Sequence, residues 1–293
     1  MLFKCFIAVL CFVVSVRVAG AQPRPLRVVS LAPNLTELVF ELGFGSNLVG
    51  RSSACDYPPE AKQIPMVGGF GRPNWEAMEN LRPDLVLATD LEKPGLLDRL
   101  KEMGVQTLLL PCESWDQLMQ AGLAISEAFG QRVVGEKFVR NMTTSRNDLE
   151  KRVDNFYQGK PRPLVYVEVW GDPLTTAGGE SFLNDLIQVA GGANMAAALR
   201  PQYVHVSAEW IVSQNPDVIL LAYMLPNASS VESVVKRPGW NKMRAVQRNA
   251  ICATIQPDLL LRPGPRMLEG AEKFAEWMMK QTASSNEQRT TDN

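Results

Sequence analysis

The chain has one histidine in 293 residues. Zinc and related transition-metal sites draw on several imidazole, thiolate or carboxylate ligands at close spacing. His205 alone cannot assemble a resident metal centre, and neither a metal nor a cofactor is expected. Catalytic signatures are missing too, with no G-x-S-x-G, H-E-x-x-H or G-x-x-x-x-G-K-S/T anywhere in the chain. The cluster Gly68-Gly69-Phe70-Gly71 lacks the spacing of a dinucleotide loop and reads as turn chemistry. An excess of one charge is also absent: 30 Lys and Arg stand against 31 Asp and Glu. That balance leaves no footprint for nucleic acid or anionic lipid. Beyond residue 21, no apolar run approaches the ~20 residues that span a bilayer.

The first 21 residues do carry a pattern. Lys4, an apolar run over residues 5–16 and Ala19-Gly20-Ala21 are the parts of a cleavable secretory signal, so export to the periplasm is expected. Its removal leaves Cys55, Cys112 and Cys252 of the five cysteines. Cys55 and Cys112 both follow predicted strands of one parallel sheet, whose trailing loops gather at one edge. In an oxidising compartment a Cys55–Cys112 disulfide is expected; two unbridged thiols are the alternative. Cys252 lies in an apolar run and reads as a small buried residue.

The body of the chain says nearly the same thing twice. Asn74-Trp-Glu76 leads to Pro83-Asp84 and an apolar strand; Ser207-Ala-Glu209 leads to Pro216-Asp217 and another. A capping residue, a short helix, a break and a buried strand recur 133 residues apart, which predicts two similar lobes. Strands predicted at 26–32, 84–89 and 105–110 alternate with helices near 95–103 and 115–129, the rhythm of a parallel sheet with helices on its faces. Residues 131–157 hold no proline and one glycine, Gly135, with apolar residues at helical spacing, which predicts one long amphipathic helix. A second strand–helix series runs from 163–169 to a final helix at about 267–280. The expected organisation is an N-terminal lobe over 22–129, a bridging helix over 130–158, a C-terminal lobe over 159–283 and a disordered tail over 284–293. The fold class is α/β, with two Rossmann-like lobes joined by a single long helix.

Three groups of residues stand out as candidates for function. Glu76 and Glu209 each open a helix, where a carboxylate gains ~0.3–1 kcal/mol from the dipole, but their repetition in two lobes suggests paired acidic posts for a partner. Tyr57, Phe70, Trp170 and Tyr203 sit beside proline or glycine rather than on periodic apolar faces, as aromatics that stack on a flat ligand would. Asp258 and Arg262 precede Pro263-Gly-Pro265-Arg266, a stiff segment able to hold polar groups for a ligand; a plain Asp–Arg pair at a helix entry is the alternative.

Together, Arg27-Val-Val-Ser-Leu-Ala-Pro-Asn-Leu-Thr-Glu37, the Cys55-Asp-Tyr-Pro-Pro loop, the twin Glu…Pro-Asp units and Arg262-Pro-Gly-Pro-Arg266 resemble a known family. It is the iron-complex and cobalamin class of periplasmic substrate-binding proteins, matched from about residue 26 to residue 280. The resemblance is strongest to its cobalamin binders and implies the class III architecture of two lobes bridged by one helix. It also implies that a monomer captures cobalamin or another corrinoid between the lobes, without catalysis. In this reading Glu76 and Glu209 dock on the two permease subunits of an ABC importer. Phe70, Trp170 and Tyr203 line the cleft, while Asp258 and Arg262 contact the corrin side chains. The sequence departs from those binders in having Ala54 at an aromatic position, Phe70 and Tyr203 in place of tryptophans, and no second-lobe disulfide. Rival readings are a ferric siderophore met by Arg51 and Arg72, haem ligated by Tyr57, Tyr203 or His205, a secreted α/β enzyme, and an interaction module with no small ligand.

Overall fold

The computed structural model describes residues 24–89, 95–224 and 230–291; the expected signal, residues 1–21, lies outside the described residues. In chain order the N-terminal elements are β1 (Val28–Ser30), α1 (Pro33–Glu41), β2 (Leu48–Arg51), β3 (Gly68–Gly69), β4 (Arg72–Pro73), α2 (Trp75–Leu81), β5 (Leu85–Ala88), α3 (Leu96–Glu102), β6 (Gln106–Leu109) and α4 (Trp115–Ala128). The long helix is α5 (Arg132–Phe156), within the expected 130–158. The C-terminal elements are β7 (Leu164–Gly171), β8 (Leu174–Ala177), α6 (Phe182–Val189), β9 (Ala193–Asn194), β10 (Tyr203–His205), α7 (Ala208–Gln214), β11 (Val218–Leu221), α8 (Val231–Val235), α9 (Arg244–Gln247), β12 (Ile251–Cys252), α10 (Pro257–Leu261) and α11 (Met267–Thr291).

The first lobe holds a parallel sheet in the order β2-β1-β5-β6. Short runs such as Leu85–Ala88, buried along their whole length, suit a sheet covered on both faces. The second sheet runs β10-β8-β7-β11-β12, with β9 beside the start of β7. Only β9, β7, β11 and β12 follow the expected parallel pattern; β8 is antiparallel to both β7 and β10. The cause is the connection: Asp172-Pro173 joins β7 to β8, and two residues cannot make a parallel crossover.

Helix α5 buries Phe138, Met142, Leu149 and Val153, spaced 4, 7 and 4 apart, so one stripe faces inward. A Cβ at Gly135 would stand 2.9 Å from the Ser126 Cβ, so glycine there lets α4 and α5 approach closely. One continuous apolar cluster joins Val28 and Leu35 of the first lobe, Phe138 and Leu149 of α5, and Val165 and Phe274 of the second. The last helix extends to Thr291, past its expected end near 280, so residues 284–291 continue a helix rather than forming the expected disordered tail.

The repeated Pro-Asp has a structural purpose. The backbone N–H of Arg27 donates to Asp84 Oδ2 at 2.9 Å, and that of Leu164 donates to Asp217 Oδ2 at 3.0 Å. In each lobe the aspartate thus ties the start of one strand to the start of the first, which fixes register. An arginine then closes the preceding helix: Arg27 Nη2 donates to the Leu81 carbonyl at 2.7 Å, and Arg244 Nη2 to that of Asn215 at 2.7 Å. Both helices end on a left-handed residue, Arg82 (φ 44) and Asn215 (φ 51). The Arg27 N–H is the main influence holding the Asp84 carboxyl below its usual range, with Arg24 and Arg27 adding to it. Asp84→Ala is expected to cost ~1–2 kcal/mol by urea denaturation, as a charged hydrogen bond is lost. Because the folded-state pKa is depressed, this contribution is full above the unfolded carboxyl's pKa and is lost as pH falls through the folded one. The gap between wild type and Asp84→Ala should therefore close on acidification.

The expected Cys55–Cys112 bridge is not formed. Cys55, Cys112 and Cys252 are all buried thiols. The Cys55 sulfur lies 3.2 Å from Ser52 Oγ, and the Cys112 sulfur donates to the Leu110 carbonyl at 3.6 Å. The Cys55 thiol also reaches the Ser30 carbonyl of β1 at 3.9 Å, so each thiol is turned to its own neighbours and sharing an edge does not pair the two. Burial pushes the Cys55 thiol up, and that of Cys252 up to about 11, which keeps both protonated and unreactive.

Candidate interlobe binding face

Loops that follow parallel strands collect at the carboxyl edge of the sheet, and in this chain the two carboxyl edges meet. Glu37 of α1 and Asp56, after β2, come from the first lobe. Arg262 and Arg266, after α10, come from the second. Arg262 Nη1 lies 2.6 Å from Asp56 Oδ1 and 3.4 Å from Glu37 Oε1. Arg266 grips Glu37 with both arms of its fork, at 2.8 and 2.6 Å. Asn34 Nδ2 donates to the Pro263 carbonyl at 3.2 Å, a further tie between the lobes. A third runs from the Trp115 N–H, at the start of α4, to Asp185 of α6 at 2.9 Å.

Arg262 is thus a bridge between lobes before it is anything else. Its expected partner Asp258 is 3.1 Å from its Nε, and Asp258 lies in the first turn of α10 rather than in a loop. Although burial works against its charge, the carboxylates of Asp56, Asp258 and Glu37 raise the Arg262 pKa above its ordinary value. The guanidinium is therefore permanently charged. Asp258 keeps 45 % of its side chain exposed and remains open to a ligand; Arg262 keeps 14 %. Sequence reasoning missed Glu37, Asp56 and Arg266 because each partner lies more than 200 residues from the other.

The four aromatics stand on the same edges and are partly exposed: Tyr57 42 %, Phe70 41 %, Trp170 47 % and Tyr203 42 %. Two come from each lobe, and an exposed aromatic surface asks for a partner. A contact locates Tyr57 between the lobes, and the field of the other lobe reaches Tyr203. The Arg266 guanidinium lies 3.7 Å above the Tyr57 ring centre. The Tyr203 phenol is held well above its usual pKa, chiefly by loss of water and secondly by the Glu113 carboxylate of the other lobe. Topology places the others: Phe70 is at the tip of the β3–β4 hairpin, and Trp170 is near the end of β7 with its Nε1 donating to the Asp172 carbonyl at 2.7 Å.

His205 ends β10 and sits 2.9 Å from Thr175 Oγ1 through Nδ1. Arg72 is exposed on β4. Arg51 is 7 % exposed and donates to the carbonyls of Ser52 and Lys62, so it serves its own lobe and is not offered to a siderophore.

A second group escaped the sequence reading. Glu168 of β7 is fully buried and is gripped by both arms of Arg237 at 2.6 and 2.8 Å. Tyr166 donates to it at 3.0 Å, and Tyr223 donates to its other oxygen. This cluster lies beneath the edge that carries Trp170: a Cβ at Gly171 would touch Arg237 and Tyr223 at 3.4 Å. Its only sequence signal was a carboxylate in an otherwise apolar strand.

Glu76 and Glu209 occupy matching positions. Each opens a seven-residue helix that follows a short strand, Arg72–Pro73 in the first lobe and Tyr203–His205 in the second. Asn74 Oδ1 caps one by accepting from the Ala77 N–H, and Ser207 Oγ caps the other by accepting from the Trp210 N–H, both at 3.1 Å. Both glutamates are exposed, and neither joins an ion pair among the described residues. The Glu209 N–H and the Ser207 hydroxyl hold the Glu209 carboxyl below its ordinary pKa. It is a charged post at neutral pH.

Comparisons with known proteins agree with this geometry. Residues 28–257 match the periplasmic binding protein family. The uncharacterised ABC transporter substrate-binding lipoprotein YvrC of Bacillus subtilis (strain 168) is 31 % identical over 260 residues, 87 % of this chain and 80 % of that protein. The haem-binding protein RhuT of Roseiflexus sp. RS-1 superposes with a TM-score of 0.76 at 26 % identity, covering 87 % of this chain and 98 % of that one. The vitamin B12-binding protein BtuF of Vibrio cholerae does so with a TM-score of 0.71 at 25 % identity, covering 87 % and 97 %. The architecture is class III, the setting is extracytoplasmic, and the role is binding rather than catalysis. With its two lobes and bridging helix, this chain belongs to the periplasmic binding protein family, the substrate-binding components of ABC transporters.

Proposed function

We propose that this protein captures a corrinoid between its lobes and delivers it to the permease subunits of an ABC importer after export through its N-terminal signal. The observation that carries the reading is the set of four partly exposed aromatics, two from each lobe. A broad, flat, largely apolar ring system with polar side arms complements that surface. Asp258, half exposed beside Arg262, is placed to accept from amide side arms. The vitamin B12-binding relative supports the same choice.

The test is direct. Cobalamin titrated into the protein should give a saturable absorbance change with an associated heat. Trp170→Ala and Tyr203→Ala should each weaken binding by about tenfold, as one stacking contact of ~1.4 kcal/mol is removed. Absence of any response at micromolar ligand would reject a corrinoid. A second reading, haem, is favoured by one contact: the Arg266 guanidinium over Tyr57 would accompany a phenolate ligand to ferric iron. It predicts a haem absorbance change that disappears in Tyr57→Phe.

A further inference from the structure

We propose that the amino edge of the C-terminal lobe's sheet, on the far side from the aromatic face, is a second binding site for a phosphate-bearing anion. A cavity of about 410 Å³ opens there, under the starts of β7, β11 and β12 and between the end of α5 and α11. Lys160, Arg162, Arg244 and Arg248 line it against a single lining carboxylate, Asp217.

That carboxylate is already committed. It accepts from the Leu164 N–H at 3.0 Å and pairs with Arg244 at 3.2 Å, leaving Arg248 at 3.9 Å. Arg244 is committed as well, through Nε and Nη2 to the Asn215 carbonyl. The other cations have donors to spare. Arg162 pairs with Asp154, yet its Nη1 is buried without a hydrogen-bond partner. The Lys160 ammonium lies 5.3 Å from the Phe156 ring centre and meets no carboxylate within ion-pair distance among the described residues. A buried N–H left unsatisfied is costly, and an anion's oxygen would satisfy it.

Phosphate fits these donors better than a carboxylate does. Arg162, Arg248 and the Lys160 ammonium line the cavity from separate segments, a set of separate cations that suits a tetrahedral group with several oxygens. The volume exceeds that of the bare ion and leaves room for an attached group. The ligand class is therefore a phosphate ester, either free in solution or carried as a lipid headgroup. The site does not depend on what occupies the aromatic face.

Glycerol 3-phosphate followed by calorimetry at low salt tests the free form. Co-sedimentation with phosphatidylglycerol vesicles, against phosphatidylcholine, tests the lipid form. Saturable binding in the millimolar range or tighter in either arm is expected, weakening as salt rises, and the arm that responds identifies the source. Arg248→Glu should weaken that binding at least about tenfold, with ligand binding at the aromatic face unchanged. Lys160→Gln, at an exposed position without an ion pair, serves if the first variant does not fold. No binding in either arm, or binding that both variants leave intact, would overturn the proposal.

Discussion

Exchanging Glu76 and Glu209 together for arginine is expected to reduce uptake of the ligand to background while its equilibrium binding stays unchanged. Both residues are exposed, each opens a capped seven-residue helix, and neither serves the protein through an ion pair among the described residues. Their charge serves the fold only at two helix N-termini, with the Ser207 hydroxyl adding to it at Glu209, so the doubly substituted protein should stay folded and melt somewhat below the wild type. Meeting basic pockets on a permease, two arginines would set like charges against each other, at a cost of several kcal/mol across an interface. Single exchanges should fall between the extremes, and should fall alike, because the two posts stand at equivalent places. The measurements are whole-cell uptake and, separately, calorimetry on purified protein. Unchanged uptake in the double variant would sink the docking role; a parallel loss of binding would relocate these residues to the ligand site.

The largest expected effect on stability is at Glu168. Removing one partner from a buried ion pair strands the other, which typically costs 3–5 kcal/mol. Glu168 is wholly buried and takes donors from Arg237, Tyr166 and Tyr223. Burial, and next the Glu168 carboxylate, push the Tyr166 phenol far up, so it remains a donor at any working pH. Glu168→Ala should therefore cost ~3–4 kcal/mol, read as a lower urea midpoint. Pairing it with Arg237→Met should recover part of that loss, since an apolar pair leaves no stranded charge. If Glu168→Ala unfolds with the wild-type midpoint, the cluster holds nothing together.

Much of this architecture was readable from residues alone. The long helix carried its own signals: no proline, one glycine and a regular apolar stripe. The doubled motif located equivalent helix starts in both lobes, although its aspartates proved to be register locks. What stayed hidden depends on contacts across the chain. Arg262 looked like a ligand contact, and no local pattern could reveal that Glu37 and Asp56, over 200 positions away, already held it. Glu168 was masked by the apolar strand around it, and its partner Arg237 is 69 residues distant. The cysteine expectation failed for a related reason. Sharing an edge is a topological property, whereas bridging needs Cβ atoms a few ångströms apart.

The unbroken core that joins both lobes through α5 has a consequence for traffic at the membrane. A body stitched together in this way resists gaping, so if the two acidic posts dock as proposed, the interval between them would act as a fixed gauge rather than a signal of occupancy. A transporter reading that gauge would greet the vacant form as readily as the laden one. The unladen protein would then be a rival for the same berth, and discrimination would have to come from the cargo itself or from the energy-driven cycle beyond the dock.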